Sequence, residues 1–386
     1  MKILGSLFKG DKYLWFTVGL LMLISLLAVY SSTGTLAYKY QSGNTEYYLF
    51  KHLSILLFGL VLMYLTHRIR YTFFSRFSKI AIILAIPLLL LTLVVGTNLN
   101  DASRWLTIPI INLSFQTSDF AKLALLLFVA RELSKKQENI KDFKTTFVPI
   151  MLVVLLTCGL ILPANFSTAA VVFAASIVLM IIGRISLKYI AMMLGIGVVA
   201  LSLFISIAIV FELDSGPFGR VQTWISRVES FTNEDDEGSY QSQQAKIAIA
   251  SGGVIGKGPG NSTQRNFLPH PYSDFIFAII IEEYGFMAGV LVVVLYLVLF
   301  YRAIYIARKS PRAFATFLAI GCAFSLVFQA MINMAVAVNL FPVTGQPLPM
   351  ISMGGTSTLF TSIAVGIILS VSREADKKGG LKQVEV

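Results

Sequence analysis

The stretch Asn266–Gly285 reads NFLPHPYSDFIFAIIIEEYG, and its reading decides what kind of protein this is. A polar, Pro-containing segment runs into an apolar one at Asp274, and Glu282 and Glu283 follow about two helical turns later. A charge at membrane depth costs roughly 2.5–3.5 kcal/mol on insertion scales, so a membrane chain that gathers three acids near one loop is using them. On one continuous helix, Asp274 and Glu282 would lie about 12 Å apart along the axis and about 80° around it, able to line one cavity but not to touch. At this level helix capping explains Ser273-Asp274 as well as catalysis does. A buried structural pair with a cation or backbone partner explains Glu282 and Glu283.

Outward from that stretch, 56% of the 386 residues are hydrophobic, only 13% are charged, and the mean hydropathy is +0.76. A soluble domain carries about 25% charged residues. The chain therefore reads as an all-α polytopic membrane protein. Spans of about 20 mainly apolar residues fall at 13–30, 50–66, 78–96, 119–133, 147–163, 168–183, 188–211, 274–300, 313–340 and 354–372. The first is long enough, after Lys2, Lys9 and Lys12, to be a retained helix rather than a cleaved signal. Cys158 and Cys322 both sit in apolar runs, so neither a disulfide framework nor a zinc site is expected.

With the N-terminus in the cytoplasm, 22 of the 31 Lys and Arg fall in inside segments, alternating loop by loop as the positive-inside rule requires. The net charge of +11 is thus mostly topogenic, and nucleic-acid binding is not expected. Both ends are cytoplasmic in this reading. One transmembrane domain covers 1–386, with a large outer loop at 212–273 and a cytoplasmic tail at 373–386. Within that loop Pro217–Phe231 and Tyr240–Ser251 have helical spacing, and the acidic run Glu234–Gly238 reads as a solvated tip.

Four polar clusters converge on the outer side. The first holds Arg104-Trp105 and then Gln116 to Lys122, where Asp119 and Lys122 share a helix face; a capped helix with a local ion pair is the plain alternative. The second is Gln241 to Ser262, which ends in a glycine-rich run with Lys257 and lacks the ending of a P-loop. The run is a flexible turn or a place where backbone N–H groups approach an anion. The third is the stretch already quoted. The fourth is Phe341–Ser357, rich in Pro and Gly with Ser352, Thr356 and Ser357, a rigid loop of the kind tolerated at depth only against a polar cavity. Gln329, Asn333 and Asn339 place amides in the helix before it, for which interhelical glue is the plain reading. Nucleotide donors are absent outside the cell, so chemistry there needs a donor with its own leaving group, such as a lipid-linked pyrophosphate. A carboxylate base beside Arg and Lys suits such a transfer.

The set of motifs resembles the SEDS family (shape, elongation, division and sporulation), which includes FtsW, RodA and SpoVE. The matching pieces are Ser103-Arg104-Trp105, Gln116–Lys122, the glycines of 252–260, Leu268-Pro269, Asp274–Phe277, Glu282–Gly285, Thr344–Pro349 and Ser352–Ser357. The resemblance implies a peptidoglycan glycosyltransferase in the bacterial plasma membrane. It would polymerise lipid II on the outer face, with a divalent cation (Mg2+ or Mn2+), no organic cofactor, a class B penicillin-binding protein as transpeptidase partner, and divisome regulators. It makes Asp274 the base toward the acceptor hydroxyl. It places Asp119 and Lys122 in the family's cavity. Our own candidates for the pyrophosphate are Arg104 and Lys122 with the divalent cation, and Lys257, Ser352, Thr356 and Ser357 are further candidates for the substrate. Glu282, Glu283 and Asn333 are expected to be cavity or structural groups, and the metal ligands are unknown. The family's usual Glu is Asp119 here, and His270 and Asn165 stand where the family often has acids. The Thr344–Pro349 and Ser352–Ser357 wording is closer to the division branch, FtsW, than to the elongation branch, RodA. A lipid II flippase and a non-catalytic divisome scaffold are the alternatives of other classes.

Overall fold

The computed structural model describes residues 9–99, 102–108, 113–210, 225, 231 and 237–384; within them the side chains at 97–99, 102–104, 107–108, 113–114, 201, 208–210, 237–239 and 377–384 lie outside the description. The helices are α1 Lys12–Ser32, α2 Gly34–Tyr40, α3 Thr45–Arg68, α4 Tyr71–Val95, α5 Thr117–Lys135, α6 Val148–Ile161, α7 Phe166–Ile182, α8 Leu187–Val210, α9 Glu237–Gly252, α10 Ile276–Lys309, α11 Ala313–Ala337 and α12 Thr356–Val384. Among the described residues, eight helical segments are long and apolar enough to cross a membrane. The two other expected spans are α7, which is shorter, and α5. Each of the ten expected spans thus falls on a helix.

Local chemistry explains where the helices start. Asp11 caps α1 by accepting from the Leu14 N–H at 2.9 Å, and Asn44 caps α3 through Tyr47. Pro149 sits in the first turn of α6, where its missing N–H costs nothing. Asp11 is also gripped by Arg302 through Nε and a second guanidinium nitrogen, which ties the start of α1 to the end of α10. α11 is the hub: it packs against α5, α7, α10 and α12. By contrast, only 6% of the apolar window of α8 is buried by the rest of the protein.

Three features depart from the sequence reading. The segment expected as a plain loop at 97–118 contains three short antiparallel strands, β1 Thr97–Leu99, β2 Ala102–Ile108 and β3 Leu113–Gln116, in the order β1-β2-β3. Its aromatic and β-branched residues, broken near Pro109, favour this. Asp274 is not the first residue of its helix: α10 begins at Ile276 after a turn, so the helical offset between Asp274 and Glu282 does not apply. Finally, α10 is broken at Gly285, where φ is +83°. The expected helix at Tyr240–Ser251 lies within α9. Most of Pro217–Phe231 and of the acidic run Glu234–Gly238 lies outside the described residues.

Candidate active site

The polar residues gather at the end of the bundle formed by the start of α5, α7, α10 and α12 and the end of α11. A cavity of about 240 Å³ opens there, lined by Trp105, Gln116, Asp119, Asn165, Thr168, Ser273, Gln329 and Ser357 and by the loop from Gly345 to Pro347 and Met353 to Gly355. The small sheet supplies one wall, since Trp105 and Gln116 are cross-strand partners. Asn165 caps α7 by accepting from the Thr168 N–H at 3.1 Å, and both side chains accept from Gln346 Nε2.

Asp274 stands at the rim. Ser273 lines the cavity, and a Cβ added to Gly345 would lie 3.8 Å from Asp274 Oδ2. The Ser273 hydroxyl donates to Asp274 Oδ1 at 3.0 Å. The backbone beneath is fixed from two sides: Asn333 Nδ2 donates to the Asp274 carbonyl at 2.8 Å, and Ser352 Oγ donates to the Ser273 carbonyl at 2.6 Å. Burial, and then the nearby Asp274 charge, push the Tyr272 phenol above its usual 10, so it stays neutral.

Asp119 and Lys122 lie one turn apart at the start of α5, 5% and 8% exposed, with 3.7 Å between Asp119 Oδ1 and Lys122 Nζ. Lys122 also donates to Gln329 Oε1 at 3.0 Å. Asp119 Oδ2 is buried with no partner among the described residues. Carboxylate oxygens are rarely left so. The cavity beside it is where a partner can enter.

The loop from Gln346 to Ser352 is held rather than flexible. Its carbonyls at Gln346, Pro347, Pro349 and Ile351 accept from Asn333, Gln329, Tyr296 and Ser25, and Ser352 Oγ accepts from the Leu348 N–H at 2.7 Å. Ser352 therefore serves the loop, and Thr356 Oγ1 accepts from the Gln116 N–H at 3.4 Å, pinning the sheet. Ser357 is the member of that trio that lines the cavity.

Lys257 lies away from this cavity, and of the two roles expected for Glu282 and Glu283 the structure shows the structural one. Glu282 and Glu283 do not line this cavity; they hold the glycine-rich loop. The break at Gly285 leaves the carbonyls of Glu282 and Glu283 open, and the N–H groups of Lys257 and Gly258 fill them at 3.0 and 2.9 Å. The backbones come so close that a Cβ on Gly256, where φ is +90°, would lie 2.3 Å from the Glu283 carbonyl oxygen. Lys257, expected at the substrate, is instead bound to Glu282 at 2.6 Å. The Arg104 side chain lies outside the described residues. Trp105, Gln116, Asn165, Thr168, Gln329 and Gln346 were not assigned to the site from sequence; the signal was buried amides at the ends of apolar helices, weak without knowing which ends meet.

The comparisons fit this geometry. A family model described as "Cell cycle protein", covering FtsW, RodA and SpoVE, matches residues 11–377. The chain is 34% identical over 361 residues to "Stage V sporulation protein E" of Bacillus subtilis, covering 92% of this chain and 94% of that one. It is 32% identical over 364 residues to "Probable peptidoglycan glycosyltransferase FtsW" of Trichlorobacter lovleyi, covering 92% of each. Among solved structures, a chain described under "Structural coordination of polymerization and crosslinking by a peptidoglycan synthase complex" superposes with a TM-score of 0.74 at 26% identity, covering 95% of this chain and 98% of that one. The rod shape determining protein RodA of Thermus thermophilus shares the fold, with a TM-score of 0.67 at 24% identity over 95% of this chain and 97% of that one.

Proposed function

The chain belongs to the cell cycle protein family of FtsW, RodA and SpoVE, and on that premise we propose that it is a peptidoglycan glycosyltransferase of the FtsW kind, polymerising lipid II into glycan strands. The observation that carries the reading is the polar cavity between helix ends, with an acid at its rim and buried Asp119 in its wall, paired with Lys122 behind it.

The chemistry follows from those groups. Asp274 takes the proton of the acceptor sugar's 4-hydroxyl as that oxygen bonds to the anomeric carbon of the growing chain. The bond from that carbon to the lipid pyrophosphate breaks, with inversion, and the pyrophosphate leaves with the electron pair. Lys122, held by Asp119 and Gln329, offers an ammonium near the charge that develops on the leaving group. Among the described residues no group of three or more His, Cys, Asp or Glu is placed to hold a metal. A divalent cation is therefore proposed as a counter-ion carried by the pyrophosphate, and no step is assigned to it.

The proposed setting is the bacterial plasma membrane with the cavity on the outer side. The basic groups Arg68, Arg302 and Arg373 lie at the opposite end of the bundle, as the positive-inside rule expects for the cytoplasm. The proposed partner is a class B penicillin-binding protein, with regulators of division around it. The test is purified chain with that partner, lipid II and a divalent cation. Lipid-linked glycan polymer is expected; its absence from the wild type sinks the enzyme reading. Mid-cell rather than side-wall placement of a fluorescent fusion checks the division role.

A further inference from the structure

We infer that Gln329 is a positioning residue for this reaction, the brace that sets the Lys122 ammonium relative to the loop carrying Asp274. The inference rests on the transferase reading above. Gln329 is buried in α11 and lines the cavity. Its amide spans two walls: Oε1 accepts from Lys122 Nζ at 3.0 Å, and Nε2 donates to the Pro347 carbonyl at 2.9 Å. The direction of the amide is fixed by its partners, because an ammonium only donates and a carbonyl only accepts.

One turn further along the same face, Asn333 repeats the pattern. Its Nδ2 donates to the Asp274 carbonyl at 2.8 Å and the Gln346 carbonyl at 2.7 Å. The two amides stand about 6 Å apart on one rigid helix. Links run from the Asp274 backbone through Asn333 to Gln346, and from Pro347 through Gln329 to Lys122. Neighbouring residues of one loop join the two chains of bonds, so α11 fixes the distance between the base's turn and the cation. Without Gln329, Lys122 keeps only the 3.7 Å contact to Asp119 among its described partners, and a long, flexible side chain is free to swing.

Two substitutions separate the roles. Gln329→Met keeps length and apolar volume and loses both bonds. Gln329→Glu keeps an oxygen for Lys122 and loses the donation to Pro347. With the full chain, its partner and lipid II, Gln329→Met is expected to lower kcat at least tenfold with KM within threefold, because the ammonium acts mainly on charge that develops as the pyrophosphate leaves. Gln329→Glu is expected to fall in between, roughly threefold to tenfold below wild type in kcat, because it still holds the ammonium but leaves the Pro347 carbonyl without its donor. A kcat for Gln329→Met within twofold of wild type overturns the inference, and so does an equal fall in both variants. An experimental structure of Gln329→Met gives a readout independent of activity. Lys122 Nζ is expected to leave its wild-type position by more than about 1.5 Å. An unmoved ammonium refutes the brace whether or not the wild type makes polymer, whereas a wild type without polymer refutes the transferase reading alone.

Discussion

Glu282 and Asp119 are both carboxylates buried at the start of apolar helices, and the protein treats them in opposite ways. Glu282 is fully buried and saturated. It accepts from Lys257, from the hydroxyls of Ser251, Ser262 and Thr263, and from the N–H groups of Thr263 and Gln264. Glu283 beside it accepts from Ser31 Oγ and the Ser262 N–H on Oε1, while its buried Oε2 has no partner among the described residues and does not line the cavity. Asp119 has one lysine at 3.7 Å and one oxygen without a partner among the described residues, beside a cavity of about 240 Å³. A saturated acid has no capacity left for a substrate and holds shape; a site for chemistry keeps polar capacity in hand. Charge at depth therefore marks importance in both regions, and for Glu282 and Asp119 the hydrogen-bond inventory together with the cavity lining tells which kind.

The comparison is sharpened most by Asp274→Asn. Removing the proposed general base at the cavity rim is expected to cost about 10²–10⁴ in polymerisation rate, with an unfolding free energy within about 0.5 kcal/mol of wild type because the residue is only half buried. Glu282→Gln should do the reverse. It leaves Lys257 without its counter-charge and is expected to cost about 3 kcal/mol, less if water reaches the lysine, which is 29% exposed. Chemical denaturation in detergent measures it, and rate per folded molecule should stay within about threefold. Gly256→Ala puts a Cβ against the Glu283 carbonyl in left-handed backbone and is expected to cost about 2 kcal/mol in the same assay. An alanine there with wild-type stability would mean the loop is not clamped to α10. Smallest is Tyr296→Phe, which strips one donor from the Pro349 carbonyl and is expected to cost about 1 kcal/mol, seen as faster hydrogen exchange in the loop.

Much of this was legible in the chain itself. Hydropathy placed the ten helices, because a membrane helix must satisfy its own backbone and cover itself with apolar side chains. The polar clusters around Asp119, Asp274 and Ser357 stood out as exceptions to that rule, and the structure brings them to one end of the bundle. Pairing was less legible. The sequence puts Glu282 within reach of Asp274 on an ideal helix, but the turn before Ile276 and the break at Gly285 send the acids to different neighbours. Lys257 read as free for an anion because nothing local names its partner, which lies 25 residues away. The strands at 97–116 were hidden by their shortness, and with them the route by which Trp105 and Gln116 reach the cavity.

The division of labour between the two acidic regions is tested most directly by gel-resolved lipid II polymerisation, with Asp274→Asn and Glu282→Gln run side by side at matched amounts of folded protein with the transpeptidase partner. The account predicts no polymer from Asp274→Asn and strands of wild-type length from Glu282→Gln. Polymer at the wild-type rate from Asp274→Asn, or none from well-folded Glu282→Gln, would contradict it.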